Sequence, residues 1–218
     1  MSRMTPDLYG ESYWEGGIGS EYYHYADDPG WNGILLELES FVPPPAVIRE
    51  LGSAHGYFIK HAREWGFDAE GIDISDYAVK TGLQRMPTLE GKLHLGTVSN
   101  PLPWADESAD VVFSSEFLEH VAPEEERHVL SEMLRITKSG GLWLHKIGII
   151  VPENHPHRPA TVEDHSAHNS HFNVKTREQW NDQFHHMGLI EVTNLVAALD
   201  IRFADRDWVM RFFAHRVP

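Results

Sequence analysis

The 218-residue sequence predicts an α/β fold built on a doubly wound, mostly parallel sheet. Three observations carry this. Strand-like and helix-like segments alternate from about residue 46 to 150, which favours parallel strands covered by helices on both faces. A glycine-containing turn, "ELGSAHGYF", follows the first strand candidate. Two strand candidates close to the C-terminus, with little helix between them, suggest an antiparallel addition at the sheet edge.

Residues 9–31 form an aromatic, acidic, glycine-rich lead-in, either a segment pinned by its rings or a lid over a ligand. "WNGILLELESF" has the apolar spacing of a short helix, which Pro43, Pro44 and Pro45 stop. "AVIREL" is a strand ending at Gly52, and "YFIKHAREWGF" a helix with Phe58, Ile59, Ala62 and Trp65 on one stripe. "DAEGIDIS" is a second strand, followed by the helix "DYAVKTGLQRM" with Asp76 near its start. "GKLHLGTV" and "ADVVFSS" are the third and fourth strands, and "PEEERHVLSEMLRIT" is strongly amphipathic. Ser139, Gly140 and Gly141 are read as a turn before the fifth strand, "LWLHKIGII". After a long polar stretch come the helix "TREQWNDQFHHMG", the strand "LIEVTNLV" and the terminal strand "WVMRFFAHRV". Residues 1–45 are expected to be a lead-in or lid with a cap helix, and residues 46–218 the main domain.

Composition narrows the function. Lys plus Arg number 18 against 33 Asp plus Glu, a formal net charge of −15, and the basic residues are scattered. Such a surface repels phosphate backbones and anionic lipid heads, so neither nucleic acid nor membrane is an expected partner. The absence of cysteine excludes disulfides, thiolate metal sites and cysteine nucleophiles. No apolar signal core or membrane-spanning run is present, making a cytoplasmic location the default expectation.

The glycine turn has no lysine for a phosphate. Gly52 would let the chain turn as the first strand ends, and Gly56 would let the next helix approach. Asp73 stands at the end of the second strand, where a carboxylate can accept hydrogen bonds from ribose hydroxyls. A nucleoside without pyrophosphate fits both features.

Glu50-Leu51-Gly52-Ser53-Ala54-His55-Gly56 resembles the first motif of class I S-adenosylmethionine-dependent methyltransferases, and "GIDISDYAV" resembles the second. "LPWADESADVVFSSEFLEHV", "MLRITKSGGLWLH" and "TREQWNDQFHHMGL" continue the resemblance in order to about residue 192. It implies a Rossmann-like, seven-stranded, mostly parallel sheet with an antiparallel C-terminal strand. It also implies S-adenosyl-L-methionine as cofactor and a small-molecule acceptor, a sugar or natural-product intermediate, methylated on O or N. A homodimer is compatible with it. Cofactor contacts would come from Glu50, Gly52, Ser53, Ala54 and Gly56, with Asp73 on the ribose, Ile74 beside the adenine, and Ser115 and Glu116 opening the loop beneath. Thr97 or the Val98 backbone replaces the small-Asp pair that the family often has after strand three. Tyr13, with Tyr9 and Trp14, resembles the aromatic residues that cap the cofactor.

An O or N acceptor can require removal of a proton, work suited to histidine. Five of the 15 histidines lie in "ENHPHRPATVEDHSAHNSHFNV". Within it "HNSHFNV" resembles an acceptor-pocket element, implicating His171 and His168, with Asp164 as an orienting carboxylate. His120, after strand four, is a further catalytic candidate. Asp164, His165, His168 and His171 could instead hold a divalent metal, although the family usually works without one. The alternatives are a cofactor-binding enzyme repurposed to metal-assisted or non-methyl-transfer chemistry, and a non-catalytic cofactor-binding subunit.

Overall fold

A computed structural model of the chain describes residues 5–16, 25–150, 171–204 and 210–218. Seven strands form one sheet: β1 (Val47–Leu51), β2 (Asp68–Asp73), β3 (Leu93–Leu95), β4 (Ala109–Ser115), β5 (Thr137–Gly148), β6 (Ile190–Glu191) and β7 (Met210–Arg216). Their order is β3-β2-β1-β4-β5-β7-β6, and β7 runs antiparallel to both of its neighbours. The α/β class, the parallel core and the reversed C-terminal strand are therefore as the sequence predicts.

Alternation along the strands explains the two covered faces. Val112 and Trp143 point into one apolar cluster, while Val111, Phe113, Leu142 and Leu144 point into the other. The first cluster is closed by α5 (Pro123–Ile136) and α6 (Arg177–His186), through Val129, Met133, Trp180 and Phe184. The second is closed by α2 (Gly30–Glu39), α3 (Tyr57–Glu64) and α7 (Thr193–Arg202), through Leu35, Leu38, Phe58, Ile59, Leu195 and Leu199. The remaining helices are the single turn α1 (Glu11–Trp14) and α4 (Asp76–Arg85), the latter capped by Ser75, whose hydroxyl accepts from the Ala78 amide. Among the described residues no helix is long and apolar enough to cross a membrane.

Three expectations need correction. "LIEVTNLV" is not one strand: only Ile190 and Glu191 pair, and Thr193–Arg202 is helix, because burial of Leu195, Val196 and Leu199 on one helical face overrides the extended-chain preference of Thr193 and Val196. Consequently a full helix, α7, separates the last two strands. Ser139, Gly140 and Gly141 do not precede β5 but lie within it, as an irregularity opposite Ala109–Val111, where the Gly140 amide donates to the Val217 carbonyl. The third strand is shorter than expected, so Thr97 and Val98 sit in the loop beyond it.

Gly56 has φ +82°, and a Cβ there would meet both Leu93 methyls at 2.7 Å. Gly56→Ala combines the left-handed penalty of ~1–2 kcal/mol with overpacking of ~1–3 kcal/mol. Urea unfolding should show a loss of about 2–5 kcal/mol at unchanged m-value.

Two histidines lie wholly inside the first cluster, around Phe184. Burial lowers His145 to about 3 and His215 to about 4, each lowered further by a neighbouring histidine. The unfolded chain takes up their protons below pH 6.5 while the fold does not, so each withdraws stability as pH falls from 6.5 towards its folded value. His215→Phe should gain on the wild type by about 1.4 kcal/mol per pH unit between pH 6.5 and about 4, read from urea midpoints at several pH values.

Candidate functional site

Strand register builds the site. Leu51 is level with Ile72 of β2 and Ser114 of β4, so the next residues, Gly52, Asp73 and Ser115, emerge together at the carboxyl ends of three parallel strands. In open α/β sheets this edge, beside the first strand, is where ligands bind. Here it opens into a cleft with about 660 Å³ of empty volume, open to solvent. Gly52, Ala54, Asp73 and Ile74 line it, with Gly96, Thr97 and Val98 at one end and Ser115, Glu116, Phe117 and His120 at the other.

The local backbone is strained where the cleft needs it. Ala54 (φ +49°) and Glu116 (φ +54°) are two of three non-glycine left-handed residues among those described, and both line the cleft. Gly52 has φ +71°, and a Cβ there would meet the Phe117 ring at 2.6 Å. Only glycine leaves this part of the cleft floor as bare backbone.

Asp73 is buried, and its two carboxyl oxygens accept from the Ala54 and Ser75 amides, each at 2.8 Å. Burial pushes it up to about 6, against the pull of the Ser75, Ala54 and Ile74 amides. Each oxygen keeps acceptor capacity beyond its amide.

The lead-in covers this end. The Trp14 indole donates to the Tyr9 carbonyl at 3.0 Å and the Ser75 hydroxyl at 3.1 Å, tying α1 to the turn after β2. Tyr9 and Tyr13 stack edge to face at 5.1 Å, and both line the cleft with Trp14 and Tyr25. The rings thus both anchor the lead-in and wall the cavity.

A second cavity adjoins the first through Tyr25, Gly52, Ser115 and Glu116. It is lined by Glu50, Asp28 and Lys146 among apolar groups, and Lys146 pairs with Glu116 at 2.6 Å. Burial raises Glu50 far above the usual carboxylate range, helped by the charge of Asp73. Its Oε2 has no hydrogen-bond partner among the described residues.

Beyond the first cleft, His120 meets His171 edge to face, with ring centroids 4.5 Å apart. The Phe172 and Asn173 amides both donate to the Glu119 carbonyl at 3.0 Å, which brings the later segment against the loop after β4. Burial pushes the Glu119 carboxyl up to about 8, opposed by hydrogen bonds from its own amide and that of Gly148.

Thus Tyr13, Gly52, Ala54, Asp73, Ile74, Thr97, Val98, Ser115 and His120 come together, with His171 against His120. Glu50 belongs to the adjoining cavity. Ser53 and Gly56 lie outside both linings: Ser53 packs beneath β2 against Gly71, and Gly56 starts α3. His155, His157, Asp164, His165 and His168 fall outside the described residues. Phe117 and Lys146 were not among the expected site residues, and Tyr25 was expected only as part of the aromatic lead-in. Phe117 follows Ser115 and Glu116 directly in sequence, but nothing local to Lys146 points to a cavity.

The arrangement offers a ring-capped cleft and a charged annex, with an imidazole pair alongside. Residues 49–144 match the family model described as a methyltransferase domain. A demethylmenaquinone methyltransferase from Renibacterium salmoninarum is 30% identical over 111 residues, 51% of this chain and 44% of that protein, so the match spans less than half of that relative. Among solved structures, the fold is similar to that in the complex between the Haloferax volcanii Trm112 methyltransferase activator and a methyltransferase (20% identity, TM-score 0.65, 88% of this chain and 92% of that one). It is also similar to Haemonchus contortus phosphoethanolamine N-methyltransferase 2 with S-adenosyl-L-methionine (17% identity, TM-score 0.65, 95% of this chain and 56% of that one).

Proposed function

We propose that this chain is a class I S-adenosylmethionine-dependent methyltransferase that transfers a methyl group from S-adenosyl-L-methionine to an O or N atom of a small molecule. The observation that carries this is the level placement of Gly52, Asp73 and Ser115 in a cleft with no phosphate-binding cation among its lining residues.

The residues present fit the cofactor. Asp73 would hold the ribose hydroxyls, and Ile74, Gly96, Thr97 and Val98 would surround the adenine. In the annex, Glu50 and Glu116 suit an ammonium and Lys146 suits a carboxylate, the charge pattern of an α-amino acid. The unpartnered Glu50 oxygen is one that a cationic donor would satisfy. When bound, S-adenosylmethionine supplies a methyl on a sulfonium, whose C–S electron pair returns to sulfur as the acceptor lone pair forms the new bond.

The chain's own contribution is alignment and proton handling. Residues 1–45 would act as a cap: the Tyr9 and Tyr13 rings exclude water and present π-faces attractive to a cation. His171 and His120 would line the acceptor side and take the proton that an O–H or N–H acceptor gives up. Holding the reactants in line is an effect of up to ~7–11 kcal/mol.

Calorimetric titration with S-adenosylmethionine and its demethylated product tests the reading. Binding of one equivalent in the micromolar range is expected. A protein that binds neither compound would overturn it.

A further inference from the structure

We propose that Glu119, His120 and His171 form a binding site for one divalent transition-metal ion of the zinc type. The site stands on its own geometry, and only its role in acceptor activation rests on the methyl-transfer reading.

The three side chains each present a ligand atom within 4.8 Å of the others, and all three are buried. Zinc bonds of ~2.0–2.1 Å in a tetrahedral site set ligand separations of about 3.4 Å. A contraction by small side-chain rotations would therefore close the shell. Two imidazoles and one carboxylate suit zinc, cobalt or iron better than magnesium or calcium, which favour oxygen ligands. Three protein ligands leave the fourth position for water or an acceptor oxygen, the pattern of catalytic zinc sites.

A second observation points to a ligand. Glu119 Oε1 accepts from the Gly148 amide at 2.8 Å, but Oε2 is fully buried with no hydrogen-bond partner among the described residues. Such an atom is costly to leave unsatisfied, and an ion between it and the imidazoles would satisfy it. Backbone builds the site from distant sequence. Glu119 and His120 belong to a short 3-10 turn at Leu118–His120, and the two amides bonded to the Glu119 carbonyl fix His171 opposite. These ligands differ from the loop set the sequence suggested, sharing only His171. The competing account is a protonated Glu119 serving as a neutral buried acid, which requires no ion.

Because His120 also lines the cleft, an ion here would lie beside the bound cofactor. There it would polarise an acceptor oxygen and ease loss of its proton. In that state the histidines act through the ion rather than as free bases.

The test uses the full chain stripped with a chelator. Cobalt(II) is titrated while its visible d–d bands are followed, and zinc affinity is measured by competition with a chromophoric chelator. One equivalent, with the intense bands of a four- or five-coordinate site and micromolar or tighter zinc affinity, is expected. Glu119→Gln, which keeps an oxygen for the Gly148 amide, and His171→Ala should each weaken zinc by at least about 100-fold. Retained S-adenosylmethionine binding shows that each variant is folded, and His171→Asn replaces any variant that fails this. Absence of binding, or binding insensitive to these substitutions, overturns the site. Cofactor binding by the metal-free protein would leave the methyltransferase reading standing in either case.

Discussion

Asp73→Ala should weaken S-adenosylmethionine binding by about 10²–10⁴-fold. Each charge-assisted hydrogen bond to a ribose hydroxyl contributes ~1.5–3 kcal/mol, and the side chain can accept two. Asp73 also organises the cleft: the Ala54 amide on the first-motif turn and the Ser75 amide at the start of α4 both donate to it. The alanine variant therefore loses ligand contacts and leaves two amides to find other partners. Asp73→Asn separates these effects, since it keeps one oxygen and much of the turn geometry. Its expected affinity lies between those of the wild type and the alanine variant. Calorimetry at pH 7.5, with thermal unfolding of each protein, makes the comparison. Asp73→Ala binding within threefold of wild type would remove Asp73 from the cofactor site.

The pH dependence has a definite sign. Burial holds Asp73 up to about 6 in the ligand-free protein, and ribose hydroxyl donors favour the ionised carboxylate. Proton uptake therefore competes with the cofactor below that pH. Affinity should fall by up to tenfold per pH unit below about 6 and level off above it. Asp73→Asn, with nothing to titrate, should not share this step.

His171→Ala should leave cofactor affinity within a few-fold and lower kcat by about 10²–10⁴-fold, the range for loss of a proton-accepting group. The separation follows from geometry. His171 touches the His120 ring rather than lining the cofactor cleft, and the neighbouring Phe172 and Asn173 amides hold the segment independently of its side chain. The acceptor for the assay would come from screening hydroxyl- and amine-bearing small molecules against the wild type. Single-turnover rates with saturating cofactor report the chemical step, and the KM–kcat split shows whether the loss lies in binding or turnover. Wild-type turnover by the alanine variant would move the proton acceptor elsewhere.

The part of the site proposed for the cofactor was legible in the sequence because each of its pieces is a local pattern. A strand end, a glycine turn and an aspartate at the end of the next strand are each local patterns, and parallel pairing brings them level. The helix α7 was not legible, because Thr193, Val196 and Ile201 suit an extended chain. Its helical state is decided by the apolar face it lays on the sheet alongside α2. Nor could spacing reveal the annex, since Tyr25, Glu50, Glu116 and Lys146 come from four separate segments.

Taken alone, the sequence determined the α/β class, the order of the motifs and the nucleoside-type ligand, all functions of local periodicity and of glycine and carboxylate placement. Only the tertiary structure decided that His171 faces Glu119 and His120 across a separation of about 50 residues, and that Glu50 shares a cavity with Lys146. Local sequence sets the direction of each chain segment, but which side chains meet depends on strand order, on which helices cover each face, and on the backbone hydrogen bonds that lock distant segments together.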